Sequence, residues 1–267
     1  MMNTEIDMTT LHKKKNLTTA HENNKSKIII DTHRLEYLGF VSIDESEQRN
    51  NINAEFRAIK HELISNAFSI DEDKFQIKNL VMLTSSLPNT GKTFCAINLA
   101  LMLSLEKNKS VLLVDADVLK PSLYKVMNFK NRLGLTDYLN DNVTNAEDVI
   151  YETSIPNLKI LPAGKIHSLT YELLASDKMQ ALKDFFVKNY KDSIIIFDGP
   201  PVFGVIETVS LSKLVGQVAI VVEHNKTKLS DLKDVMTKLH RNSLTSVIIN
   251  KSVSKKIGKY GYGYYQY

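Results

Sequence analysis

From residue 80 onward, short runs of consecutive apolar residues alternate with longer stretches whose apolar positions recur every three or four residues. The runs at 80–84, 111–115, 158–161, 194–198, 218–222 and 246–250 are rich in Val, Ile and Leu with little polar alternation. That is the pattern of strands buried on both faces. The intervening stretches near 92–107, 135–151, 171–190, 205–214 and 228–240 read as helices. Together they predict an α/β domain with a mostly parallel sheet covered by helices on both faces. Ahead of it, Ile52, Phe56, Ile59, Leu63 and Ala67 form one stripe at helical spacing, predicting a helix over 52–68. The short amphipathic segment 28–40 is expected to be a docking element. Residues 1–27 are polar, rich in Asn, Lys and Thr and without period, and read as disordered. The expected organisation is that N-terminal segment, a domain over 28–250, and a basic neck with a flexible tyrosine-rich tail over 251–267.

Composition narrows the class. Of 267 residues, 43% are hydrophobic and 24% charged, ordinary values for a chain with a sizeable core. A net charge of +4, with no long basic patch interleaved with aromatics, argues against nucleic acid as a partner. One cysteine, Cys95, excludes an internal disulfide and fits a reducing cytosol. It is expected to be a small core residue. The histidines lack paired metal-ligand spacing. The N-terminus does not read as a signal peptide, and the longest apolar run, 96–105, is about half a membrane span. A cytoplasmic protein is expected.

The first apolar run leads into Ser85-Ser86-Leu87-Pro88-Asn89-Thr90-Gly91-Lys92-Thr93, and a helix is predicted to start at once. This is a phosphate-binding loop of the G-x-x-x-x-G-K-[ST] type, with Ser86 where the first glycine stands. Gly91 allows close backbone approach to a phosphate, Lys92 supplies a cation and Thr93 a hydroxyl for Mg²⁺. Asn89 and Thr90 complete the cradle. Two other runs end in acids: Asp115-Ala116-Asp117 and Asp198-Gly199-Pro200-Pro201. In a parallel sheet such residues emerge at the carboxyl edge beside the loop. Asp198 suits a magnesium-holding carboxylate, and Asp115 and Asp117 suit activation of a nucleophile or assistance to the metal. Each alone reads equally as a helix cap, Asp117 above all. Asn250, closing the last run, is a candidate to read adenine and equally a turn residue.

The chain closes as KYGYGYYQY, with Tyr260, Tyr262, Tyr264, Tyr265 and Tyr267 spaced by glycines in a way that fits no helix face. Phosphate loop, DAD, FDGPP and tyrosine tail in this order resemble the bacterial tyrosine autokinases of exopolysaccharide and capsule synthesis. INAEFRAIKHELISNAF, GKTFCAINLALML, VLLVDADVLKPSL, LPAG and ELLASDKM extend the resemblance over about residues 28–267. It is nearest to the cytoplasmic, exosortase-associated subgroup. The resemblance implies ATP and Mg²⁺ as cofactors, Lys92, Asp115, Asp117 and Asp198 as catalytic residues, and Thr93, Asp117 and Asp198 at the metal. The five tail tyrosines would be the phosphoacceptors, usually of a neighbouring subunit. It further implies a homo-oligomer, a separate membrane chain-length-determinant protein that recruits the kinase to the inner face of the membrane, and a protein-tyrosine phosphatase.

Three departures from the family pattern stand out. Leu119 occupies the place of an arginine after the DxD, with Lys120 the nearest cation. The interface helix, commonly E-x-x-R-x-x-R, has Ala54 at the acid and Lys60 at the last arginine. Arg57 and Lys60 still share a face and are the candidate oligomer interface, with solvated surface charge the competing reading. Asn89 stands where glycine is common. Two other functions are consistent with the motifs: a P-loop switch of the partitioning or division-site type, and a catalytically idle ATP-binding assembly subunit.

Overall fold

The computed structural model describes residues 26–44, 51–69, 77–166, 170–240 and 243–252. The N-terminal segment expected to be disordered lies outside these residues except at its end, and the five tail tyrosines lie outside them entirely.

Seven strands form one sheet: β1 (Leu80–Thr84), β2 (Ser110–Asp115), β3 (Tyr151–Glu152), β4 (Leu158–Leu161), β5 (Ser193–Asp198), β6 (Gln217–Glu223) and β7 (Leu244–Asn250). Their spatial order is β3-β4-β2-β5-β1-β6-β7. All neighbours are parallel except the β3–β4 pair. The fold is the α/β, P-loop NTPase type predicted, because β1, β2 and β5 are buried along nearly their whole length and need cover on both faces. Alternate strand residues point into two separate cores. Val81, Leu83, Leu113 and Ile196 face one, and Leu80, Met82, Leu112 and Phe197 the other.

The described helices are α1 (Thr32–Tyr37), α2 (Asn51–Ala67), α3 (Lys92–Ser104), α4 (Leu123–Val126), α5 (Leu135–Leu139), α6 (Thr170–Leu174), α7 (Asp177–Asn189), α8 (Glu207–Ser212) and α9 (Leu229–Lys238). Two departures from the predicted elements have local causes. The helix expected over 135–151 ends at Leu139, because Asn140-Asp141-Asn142 follows and Asp141 adopts φ +59°. The remainder makes a 3-10 turn, Ala146–Val149, and the short β3. The helix expected over 171–190 is broken at Ser176, whose hydroxyl accepts from Met179 N at 3.3 Å and so starts α7 afresh.

The segment 28–40, expected to be a docking element, packs into this domain. Ile28 bridges to Thr153, and Asp31 caps α1 through Arg34 N at 2.9 Å. Leu35 and Phe40 enter the core, where the Phe40 ring lies 4.9 Å from that of Phe94 on α3. Two buried asparagines tie the turn after it. Asn98 Oδ1 accepts from Val41 N at 2.7 Å, and Asn53 bonds both backbone groups of Ser42. Helix α2 packs on α3 through Phe56 and Leu63.

Candidate nucleotide site

The site lies at the carboxyl edge of the central strands. Residues 85–91 join β1 to α3 as a loop held from below by the turn after β5. Val202 N and Phe203 N donate to Ser85 O and Ser86 O at 2.8 and 3.1 Å, and Thr84 Oγ1 donates to Pro200 O at 2.7 Å. Gly199 permits this approach, since a Cβ there would lie 3.0 Å from Leu83 O. Ser86, standing for the first glycine, is buried without a positive φ. Asn89, by contrast, sits at φ +64° and Gly91 at φ +99°. Asparagine tolerates the left-handed region better than other non-glycine residues, so the loop keeps its shape with Asn89 in a position where glycine is common.

Lys92 opens α3 and is 7% exposed, drawn in among acids. Asp115 and Asp198 end β2 and β5 as direct register partners, and Ala116 N donates to Asp198 O at 3.0 Å. Thr93 Oγ1 donates to Asp198 Oδ2 at 2.7 Å and lies 2.9 Å from Ser122 Oγ. Asp115 Oδ2 accepts from Leu123 N, at the start of α4, at 3.2 Å. Sequence reading had no role for Ser122, which the turn after DAD carries back to Thr93. No sequence signal marked it, because the short helix that follows was itself not predicted.

Burial dominates the electrostatics. It holds the Asp115 carboxyl well above the usual carboxylate range, and the neighbouring Asp198 raises it further. Burial likewise pushes Asp198 up to about 7 against the lowering pull of the Thr93 hydrogen bond and of Lys92. Asp117 is raised by burial and lowered by Lys92, with Lys120 adding a smaller lowering effect from the position beyond Leu119. Cys95 is buried, and desolvation pushes its thiol to about 12, as expected of an inert core residue.

The residues present fit a magnesium nucleotide. Ser86 Oγ, Thr90 Oγ1, Asp115 Oδ1 and Asp198 Oδ1 are buried without a hydrogen-bond partner among the described residues. Four such orphans on the phosphate loop and the strand ends beside it call for a ligand or cation, because unsatisfied buried polar atoms are costly. Among the described residues no group of three or more His, Cys, Asp or Glu side chains is arranged to hold a metal. Mg²⁺ does not require one, since it is held by one or two carboxylates with water and phosphate oxygens.

Asn250 closes β7 beside the loop. Its Nδ2 donates to Thr90 O at 2.9 Å, and a Cβ on Gly91 would lie 2.0 Å from that nitrogen. The amide offered as an adenine reader thus bonds the phosphate loop itself. On α2, the two candidate interface residues differ. Lys60 is ion-paired with Glu106 just past α3, whereas Arg57 is exposed. Both line a groove of about 480 Å³ with His61, Ile64, Ser65 and Glu106.

Fold and cradle define a P-loop ATPase domain, and the AAA domain family profile matches residues 88–254. A tyrosine-protein kinase of Bacillus subtilis is 31% identical over 188 residues, covering 69% of this chain and 76% of that protein. A Klebsiella pneumoniae protein described as a putative tyrosine-protein kinase in the cps region is 31% identical, over 68% of this chain. The chain spans only 25% of the length of that relative. The crystallised VpsO kinase domain superposes with a TM-score of 0.60 at 29% identity, over 73% of this chain and 97% of that domain. The chain belongs to the bacterial tyrosine-kinase family of P-loop ATPase domains.

Proposed function

We propose that the chain is an ATP-dependent protein-tyrosine kinase whose acceptors are its C-terminal tyrosines, Tyr260, Tyr262, Tyr264, Tyr265 and Tyr267. The observation that carries this reading is the meeting of Lys92, Thr93, Asp115 and Asp198, with their orphaned oxygens, at one sheet edge. The chain leaves that same edge from β7 towards the tyrosines. Asn89, Thr90, Gly91, Lys92 and Thr93 would hold the phosphates, and Thr93 and Asp198, with Asp117, the metal. When bound, Mg·ATP supplies the phosphoryl group and a cation to offset its charge.

The chain's own groups then have three tasks. Lys92 stabilises charge on the phosphate oxygens. The backbone cradle excludes water and fixes orientation, which is most of what phosphoryl transfer needs. An aspartate, Asp115 first and Asp117 second, would accept the phenol proton as the tyrosine oxygen bonds the transferred phosphorus and the bond from that phosphorus to ADP breaks, releasing ADP. The raised basicity of Asp115 suits that role once a cation beside Asp198 favours ionised carboxylates. Tyr260 lies ten residues beyond Asn250, up to about 33–36 Å of extended chain. Transfer within one subunit and between subunits are both within that reach.

By kinship with capsule and exopolysaccharide kinases, we assign the protein to regulation of polysaccharide polymerisation and export. The exosortase-associated subgroup rests on the motif set alone. No helix among the described residues is long and apolar enough to cross a membrane. Kinship alone supports recruitment by a separate chain-length-determinant partner. A phosphatase would reset the tail. Full phosphorylation adds about −8 to −10 charges to a tail that follows a basic neck, enough to expel it and loosen a subunit ring. Light scattering of the phosphorylated protein tests that step, and an unchanged size rejects it.

The decisive experiment is anti-phosphotyrosine detection after incubation with Mg·ATP, beside Lys92→Ala and a chain truncated after residue 252. Signal in the wild type and its loss in both variants is expected. ATP hydrolysis without tyrosine phosphorylation would instead identify a partitioning-type switch, and ATP binding without either an idle assembly subunit.

A further inference from the structure

The residues at the end of β7 and directly after it bond the phosphate loop. Lys251 adopts φ +58°, a left-handed turn directly after β7, and its Nζ donates to Asn89 O at 2.8 Å. The same ammonium bonds Glu223 Oε2 at 3.1 Å. Glu223 ends β6 as the register partner of Asn250, so the sheet sets its carboxylate beside Lys251. Lys226 pairs with the other Glu223 oxygen at 2.6 Å, and Thr227 Oγ1 accepts from Glu223 N at 2.9 Å. His224 N donates to Asn250 O at 2.9 Å and pins the strand end. One residue earlier, the Asn250 amide takes Thr90 O.

These bonds reach consecutive peptide units of the cradle. In a planar trans peptide, the C=O of one residue and the N–H of the next point in opposite directions. Holding Asn89 O therefore sets the Thr90 N–H, and holding Thr90 O sets the Gly91 N–H. Both belong to the stretch whose amides face a bound phosphate in a loop of this kind. A cation on a peptide oxygen also polarises that unit and makes its N–H a stronger donor. We propose that Lys251, anchored by Glu223, is a positioning residue for the nucleotide: with Asn250 it clamps the outer face of the phosphate loop so that the Thr90 and Gly91 amides are aimed before phosphate arrives. The clamp rests on the nucleotide reading above. It also makes the root of the tyrosine tail part of the nucleotide site, so that nucleotide occupancy and the conformation of residue 251 are linked in both directions.

The test uses the full chain and Mg·ADP, with affinity read by calorimetry and the free protein's Thr90 and Gly91 amides by NMR. Lys251→Met is expected to weaken Mg·ADP binding about five- to tenfold and to shift both amide resonances while leaving those of β1 and β5 in place. Lys251→Arg, which restores a cationic donor, should stay within about twofold of wild type. Glu223→Gln should fall between. Lys226→Met, which removes a neighbouring charge that does not touch the loop, should bind as wild type. Unchanged affinity in Lys251→Met, or an equal loss in Lys226→Met, overturns the clamp. Failure of the wild-type chain to bind Mg·ADP at all would overturn the nucleotide reading beneath it.

Discussion

Two lysines, Lys92 and Lys60, each meet acids on this molecule, and the surroundings differ in a telling way. Lys60 on α2 is paired with Glu106, and the match is complete: one cation, one carboxylate, at a partly exposed surface. Lys92 acts on Asp117 and Asp198, and Asp198 is the register partner of Asp115. Asp115 and Asp198 are buried outright, each with an oxygen lacking a partner among the described residues. A satisfied pair at a surface contributes little and asks for nothing more. A buried cluster with more acid than base is unfavourable by itself and becomes favourable only when a cation joins it. The contrast separates a contact that belongs to the fold from a site built to receive something.

The contrast breaks most sharply at Lys92 and Asp198. Lys92→Ala or Asp198→Asn should lower tyrosine phosphorylation on the order of 10²–10³-fold, measured by phosphotyrosine signal against time. Activity within a few-fold of wild type in either variant would deny the cluster its role. Next in size is Gly91→Ala, whose methyl would meet the Asn250 amide at 2.0 Å in a backbone conformation that L residues rarely adopt. A loss of about 1–3 kcal/mol in stability is expected, by chemical denaturation, together with loss of nucleotide binding.

The acid pair also predicts a pH dependence. Its folded-state carboxyls are raised, Asp198 to about 7, above an unfolded value near 4. The folded protein therefore retains protons that the unfolded chain releases. Stability without nucleotide should decline as pH rises from about 4 through about 7, by on the order of a few kcal/mol. Asp198→Asn should flatten that slope in denaturant titrations at pH 5 and pH 8. A wild-type stability that rises over the same window would contradict the electrostatics. The smallest effect belongs to the other lysine. Lys60→Ala should cost about 1 kcal/mol or less, and a loss several-fold larger would show that the surface pair is part of the core after all.

Much of this arrangement was legible from residue order. The phosphate loop is local, since residues 85–93 are contiguous and their spacing alone implies a cradle followed by a helix. The aspartates were legible because a strand's carboxyl end is marked where an apolar run stops. Helix breaks at Asp141 and Ser176 were not, because polar residues that cap or turn also occur within helices and only neighbouring packing decides. Nor were Ser122 and Glu223. A lone serine after proline and a glutamate at a strand end carry no pattern until the sheet sets them against Thr93 and Lys251.

What the sequence determined by itself is the alternation of buried strands and helices, the phosphate cradle and the tyrosines beyond residue 250, because each depends on residues near one another in the chain. Only the tertiary structure decided that Asp115 and Asp198 are neighbours, that Lys60 is bound to Glu106, and that Asn250 and Lys251 hold the loop. Those contacts join segments far apart in sequence, and strand order, which no local pattern encodes, settles which of them meet.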